Sequence, residues 1–322
     1  MSKKLDGIFK DVKSLQVQGA TVITKTIIDA LLEDESGIAK QSTSKEDFIA
    51  EIRSVAKKLT LIKPSETMTQ NILGFILFEL QDPEVKDVKD CSKVVVNKAR
   101  ELKELIKKNE KLFVKNGLKI VKSFTKKYRP LNVFTHCHSS GVRNILRSVS
   151  GDKDGMDLKV FNTETRPVFQ GRMTAKKMVD DNIDVTMIMD SAAPFVISKK
   201  SGSELDIDLV LMGSDAITIN GASINKTGSY GISVAAQYEK IPLYIVTSVL
   251  KIKKGFYDII DIPMEVESYK KLWMESPKGL NIINFAFDMV PAEFITGFIT
   301  EFGILKPEEI KGVIKENYPR LL

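Results

Sequence analysis

From Leu5 to about Lys127, apolar residues recur three and four positions apart, the spacing of a helix with one buried face. The segments "GATVITKTIIDALLED", "SKEDFIAEIRSVAKKLTLI" and "CSKVVVNKARELKELIKKNEKLFVKNGLKIVKSF" carry the pattern, and strand signals are almost absent. Ser44 followed by Asp47 reads as a helix start, and Pro64 after Lys63 marks a place where a helix ends.

Beyond Tyr128-Arg129-Pro130 the rhythm changes. Short apolar runs, "LNVFTHC", "LKVFNTET", "DVTMIMD", "DLVLMGSD" and "PLYIVTS", alternate with segments long enough for helices. Near-continuous Val, Ile, Leu and Phe over four to eight residues is the pattern of strands covered on both faces, which predicts a parallel sheet. The expected fold class is α/β, with a helical N-terminal domain over 1–127 and a parallel-sheet domain over 128–322. In such sheets ligands gather outside the carboxyl ends of the strands, beside helix N-termini. The segments "THCHSSG", "NTETRP", "MDSAA", "MGSDAITING" and "TS" fall there and are the places to seek a site.

Composition narrows the picture modestly. With 43% hydrophobic residues in 322, the chain can bury a substantial core. No apolar run approaches the roughly 18 residues of a membrane span, and "MSKKLDGIFKDVKS" lacks a signal-peptide core, so a cytoplasmic protein is expected. The net charge of +6 is compatible with an anionic partner, but the lysines are scattered among acids and no nucleic-acid motif is present. Two distant cysteines, Cys91 and Cys137, do not make a disulfide framework.

Both histidines and one cysteine stand together as His136, Cys137 and His138. A thiol at a strand end, followed by Ser139, Ser140 and Gly141 opening a helix, sits where N–H groups and the helix dipole favour a thiolate that can act as a base. The alternative is a small apolar residue closing a buried strand. A metal is not expected, because adjacent side chains on a strand point to opposite faces. In "GSDAITINGASINKTG", Asp215 can be a general acid or base, and Asn225 and Lys226 can hold an oxyanion or a phosphate; a capping aspartate followed by a hairpin is the competing reading. "TETRPVFQGRMTA" offers Arg166 and Arg172 for phosphate, or for a salt bridge with Glu164. "VQGATV" places Gly19 before a helix, either as an anion-binding N-terminus or as a plain turn.

Taken in order, "VQGAT", "THCHSSGV", "TETRPVFQGRMTA", "MDSAA", "GSDAITINGASINKTGS" and "NFAFDMVPAEFITGFITEFGIL" resemble one superfamily across nearly the whole chain. It unites archaeal ribose-1,5-bisphosphate isomerases, 5-methylthioribose-1-phosphate isomerases and the regulatory subunits of eukaryotic initiation factor 2B. The resemblance implies a Rossmann-like second domain. It also implies catalytic roles for Cys137 and Asp215, the pair present in the isomerase branches and usually missing from the factors. "THCHS" and "ITINGASINK" look closest to the ribose-1,5-bisphosphate enzymes. Two positions depart from that pattern: Gln18 stands where the isomerases usually have arginine, and Lys63-Pro64 where Arg-Pro is usual.

The implied reaction is conversion of ribose 1,5-bisphosphate to ribulose 1,5-bisphosphate, in AMP degradation. Asp215 protonates the ring oxygen, Cys137 takes the C2 proton, and a cis-enolate forms, with no cofactor and no metal. The implied substrate-binding set is Gln18, Gly19, Ala20, Lys63, Arg166, Asn225 and Lys226. The expected partners are a phosphorylated sugar, AMP or another nucleotide as a candidate activator, and further copies of the chain in a homodimer or hexamer. Direct nucleic-acid or membrane contact is not expected. The alternative is a non-catalytic initiation-factor-2B-like regulatory subunit that binds a phosphorylated ligand and translation initiation factor 2.

Overall fold

The computed structural model describes residues 3–13, 19–63, 65–126, 129–151, 156–200, 202–254 and 266–322. Two compact units form, Met1–Asn109 with Leu250–Ile252, and Glu110–Val249 with Lys253–Leu322. The first contains helices α1 (Lys3–Lys13), α2 (Ala20–Gln41), α3 (Lys45–Ile62), α4 (Thr67–Glu79) and the first part of α5 (Val88–Ser123). Its core is the set that the helical spacing selects: Ile23, Ile27, Ile28 and Leu31 of α2, Phe48, Ile52 and Val55 of α3, Ile72 and Ile76 of α4, and Val95, Ala99 and Leu102 of α5, all buried. The Ser44 hydroxyl accepts from the Asp47 N–H at 3.2 Å, which bears out that helix start. The division falls inside α5, whose later residues Phe113 and Val121 pack with the second unit's sheet. Residues 127 and 128, where the sequence pattern puts the domain boundary, lie outside the described residues.

The second unit is a sheet with helical connections: β1 (Leu131–Thr135), α6 (Ser140–Ser150), β2 (Leu158–Thr163), α7 (Gln170–Asp180), β3 (Asp184–Ile188), α8 (Ala193–Ile197) and β4 (Leu209–Gly213). A short hairpin follows, β5 (Ala216–Ile217) and β6 (Ser223–Lys226), then α9 (Ser229–Tyr238), β7 (Leu243–Val246), β8 (Phe287–Val290), β9 (Gly297–Thr300), β10 (Gly303–Leu305) and α10 (Ile310–Asn317). The main sheet has the order β10-β9-β7-β4-β1-β2-β3, parallel except for β10. Leu131, Val133, Leu158, Val160, Leu209 and Leu211 share one core cluster with Val142, Ile145 and Val149 of α6. The alternate residues Phe134, Phe161, Val210 and Met212 are buried as well, so both faces are covered and the runs read as uniformly apolar.

All five apolar runs are strands. The sequence pattern missed β9, β10 and the small antiparallel sheet β5-β6-β8. These strands are two to four residues long, too short for a period of two to show.

The chain turns back from β1 to β4 at the sheet's centre: β2 and β3 extend to one side of β1, β7 and β9 to the other side of β4. This reversal is where doubly wound sheets open a crevice. Close approach of α7 to β2 shapes one wall. A Cβ on Gly171 would lie 1.7 Å from the Thr163 carbonyl oxygen, a backbone atom with nowhere to go. Gly171→Ala should therefore cost about 2–3 kcal/mol or more by denaturant unfolding. Gly74→Ala, in α4 with nothing near its Cβ, should instead gain up to about 1 kcal/mol. Equal effects of the two substitutions would refute the packing account.

Candidate functional site at the sheet reversal

β1 ends at Thr135, so His136, Cys137 and His138 lie beyond the strand, and strand alternation is not what separates their side chains. The cause is a left-handed turn at Cys137, φ 66°. Each imidazole is held by its own partners.

His136 is buried. Its Nε2 lies 3.1 Å from the Thr227 carbonyl oxygen, which can only accept, so the proton sits on Nε2 and Nδ1 accepts from the Thr163 hydroxyl at 2.6 Å. The Thr163 oxygen then accepts from the Thr165 hydroxyl at 3.1 Å, and the Thr165 oxygen from the Cys137 N–H at 3.1 Å. One directed chain thus joins the ends of β1 and β2 to the start of α9. Asp190, after β3, accepts from the Thr165 and Arg166 N–H groups at 2.7 and 2.6 Å and fixes the second loop. On the other side of the turn, the Thr174 hydroxyl donates to the Cys137 carbonyl oxygen at 2.8 Å.

The Cys137 thiol is buried and lies 3.4 Å from Gln170 Oε1, on the first turn of α7. A thiol donates to that oxygen; a thiolate would be served by the same amide turned to present its N–H groups. Gln170 was within reach of the sequence reading, in "TETRPVFQG", but an uncharged side chain gave no signal of chemistry. The helix start at Ser139-Ser140 forms as expected, with the Ser139 side chain accepting from the Val142 N–H at 3.3 Å.

Asp215 follows β4, the neighbour of β1. Its N–H donates to the Ile224 carbonyl at 2.9 Å across the β5-β6 hairpin, so it stands at the mouth of a hairpin and not at a helix start. Asn225 and Lys226 come next on β6, between Ile224, which holds Asp215, and Thr227, which holds His136. Asn225, buried, donates to the Ser229 hydroxyl at 2.9 Å. Lys226 is also buried, its ammonium 4.5 Å from the centre of the Phe287 ring, with no ion pair or hydrogen bond to its Nζ among the described residues.

The aspartate that does cap a helix is Asp288 on β8, opposite Asn225 in register. Its Oδ2 accepts from the Gly228 and Tyr230 N–H groups at 2.7 and 3.1 Å, while Oδ1 is buried with no hydrogen-bond partner among the described residues. Burial pushes its carboxyl up to about 6 against those bonds and nearby Lys226. Gly228, φ 113°, lies so close to His136 that a Cβ there would be 3.1 Å from the ring. Sequence periodicity could not have found Asp288, which reaches the site only through strand pairing.

Arg166 is exposed, 5.3 Å from the Phe169 ring centre, and donates to the Leu272 carbonyl oxygen at 3.3 Å. Glu164 pairs with Arg172, at 2.9 Å, and the Arg172 guanidinium carbon lies over the Phe169 ring, 3.6 Å from its centre. Gly19, Ala20 and Lys63 belong to the first unit. Gly19, φ 88°, precedes α2 with Ala20 as its first residue, and Lys63 lies 3.7 Å from the buried Glu66 carboxylate. Gln18 and Pro64 lie outside the described residues.

A motif profile of the initiation factor 2 subunit family matches residues 16–307. The chain belongs to this family. Among curated relatives, the ribose 1,5-bisphosphate isomerase of Methanocaldococcus jannaschii is 29% identical over 313 residues, 96% of this chain and 94% of that one. A methylthioribose-1-phosphate isomerase of Trichoplax adhaerens is 39% identical over 199 residues, 58% of this chain and 53% of that one. Among solved structures, the translation initiation factor eIF-2B of Pyrococcus horikoshii superposes with a TM-score of 0.76 at 21% identity, covering 95% of this chain and 98% of its own, a likeness of fold.

The buried rings also set a pH dependence. Burial depresses His136 to about 4, and burial with Lys177 and Arg143 depresses His138 to about 4, against 6.5 when unperturbed. The fold therefore favours the neutral rings. Their contribution is whole above pH 6.5 and is lost as pH falls through 4. Asp288 runs the other way, its contribution whole below pH 3.8 and lost as pH rises through 6. Two rings outweigh one carboxyl, so unfolding free energy should fall between pH 7 and pH 4.5. His138→Gln should shrink that fall by about 2 kcal/mol, and Asp288→Asn should steepen it, in denaturant titrations at both pH values. An unchanged pH slope in His138→Gln would contradict burial of the neutral ring.

Proposed function

We propose that the chain is an aldose-ketose isomerase of a sugar 1-phosphate, with ribose 1,5-bisphosphate, converted to ribulose 1,5-bisphosphate, as the substrate. The observation that carries the reading is that Cys137 and Asp215 follow the two adjacent strands, β1 and β4, at which the sheet reverses. Counted from the Val133 and Leu209 pair, Cys137 falls level with Gly213, two residues before Asp215. Isomerase relatives over nearly the full chain support the reaction class.

An aldose 1-phosphate is locked as a ring, because the phosphate on O1 blocks spontaneous opening. Asp215 in its acid form donates a proton to the ring oxygen as the bond from that oxygen to C1 breaks. The Cys137 thiolate removes the proton from C2, and the electron pair forms a C1–C2 double bond. The cis-enol phosphate then loses its O2 proton to the Asp215 carboxylate while the Cys137 thiol returns a proton to C1, giving the ketose 1-phosphate with both residues restored. The one heavy-atom bond broken, from the ring oxygen to C1, leaves its electron pair on that oxygen, the C2–H pair makes good the deficit at C1, and all other changes are proton transfers, so the electron count balances within the substrate. Lys226 supplies a buried positive charge for phosphate or the developing enolate oxygen, and Asn225 and Arg166 complete the binding set. The same reading makes the protein a homodimer or hexamer, with AMP or another nucleotide as a candidate activator.

The second reading, a regulatory subunit without catalysis that binds a phosphorylated ligand and translation initiation factor 2, is favoured by the two departures from the isomerase pattern, Gln18 and Lys63-Pro64. Assay of purified protein with ribose 1,5-bisphosphate and with 5-methylthioribose 1-phosphate separates them. Ketose should form faster from the bisphosphate. Cys137→Ser and Asp215→Asn should each lower kcat by about 10²–10⁴-fold with KM little changed. Tight ligand binding without turnover in the folded parent would establish the regulator instead.

A further inference from the structure

The peptide groups on both sides of Cys137 are clamped, although a left-handed backbone is unfavourable for a side chain of this type. Thr165 takes the N–H and Thr174 gives its proton to the carbonyl oxygen. The second bond has a cause one residue away. Lys177 Nζ, which can only donate, lies 3.2 Å from His138 Nε2, so that nitrogen accepts and the ring proton is on Nδ1. His138 Nδ1 then donates to the Thr174 oxygen at 2.9 Å, which leaves the Thr174 proton one direction to go, toward the Cys137 carbonyl. The chain Lys177, His138, Thr174, Cys137 is ordered throughout by donor and acceptor roles.

We propose that Thr174 and His138 are positioning residues that hold the Cys137 backbone in its left-handed turn and so aim the sulfur toward the substrate, with Lys177 setting the His138 tautomer. The turn is needed because the chain leaving β1 must bend into α6 within four residues, from His136 to Ser139, while presenting the thiol beside Gln170 at the crevice. Thr174 and Gln170 both lie on α7, four residues apart, so one helical face holds the Cys137 carbonyl and its sulfur together. His138 thus serves by way of Thr174 and touches no substrate. The proposal rests on Cys137 being the base assigned above, and its test is chosen to stand without that assignment.

The test uses the full chain and two readouts. The first is the rate of Cys137 alkylation by iodoacetamide, located by peptide mass spectrometry, with fully buried Cys91 as the internal control. The second is kcat and KM for ketose formation. Thr174→Val should free the turn, raise Cys137 alkylation about tenfold, and lower kcat about tenfold with KM within about twofold, the effect of losing roughly one to two hydrogen bonds. Thr174→Ser, which keeps the hydroxyl, should restore both values. His138→Leu should move both in the direction of Thr174→Val, and it carries the test if the valine variant does not fold. Parent-like alkylation and kcat in folded Thr174→Val or His138→Leu would overturn the proposal. If the parent turns over neither sugar phosphate, the base assignment fails, and the alkylation rates still decide whether the clamp exists.

Discussion

The site depends on one constraint, the reversal of winding between β1 and β4. Parallel strands need long connections, and right-handed crossovers running outward in opposite directions from the sheet's centre put their helices on opposite faces. The loops leaving the two central strands therefore part and leave a crevice above their carboxyl ends. The loop after β1 holds Cys137, and the loop after β4 holds Asp215. The hydrophobic runs that form the strands thus place these residues, and no local feature of either loop would have paired them.

Polar groups at such a position are expensive to bury unless satisfied. The threonines, the neutral His136 ring and the Thr227 carbonyl satisfy one another in a single direction. Asp190 anchors the loop that bears them through two backbone N–H groups. Two groups are exceptions among the described residues: Asp288 Oδ1, buried without a hydrogen-bond partner, and Lys226, a buried ammonium with an aromatic face beside it and no ion pair to its Nζ. A buried cation in that setting gains most from an anionic partner.

Much of this was legible in the sequence. The five apolar runs became five strands, buried on both faces at the sheet's centre and only partly buried at the edge strand β3, and the helical spacing of the first part selected the residues that form its core. Cys137 and Asp215 were legible as strand-end residues. The turn at Cys137 was not: its peptide groups bond to Thr165 and Thr174, 28 and 37 residues away, and nothing in "THCHSSG" demands a left-handed cysteine. Asp288 was hidden for the same reason. It caps α9 from a strand some 60 residues later, across a pairing too short to leave a periodic trace.

In the proposed reaction a base on one loop of the crevice takes a proton from the substrate's C2. Its most direct test is the fate of that hydrogen. Ribose 1,5-bisphosphate deuterated at C2, incubated with the parent protein in ordinary water and followed by NMR, should give ketose in which the label has largely been lost to solvent. A small fraction returned to C1 would reflect slow exchange of the Cys137 thiol. Complete transfer of deuterium from C2 to C1 would mean a hydride shift and would contradict the enolate and the role given to Cys137.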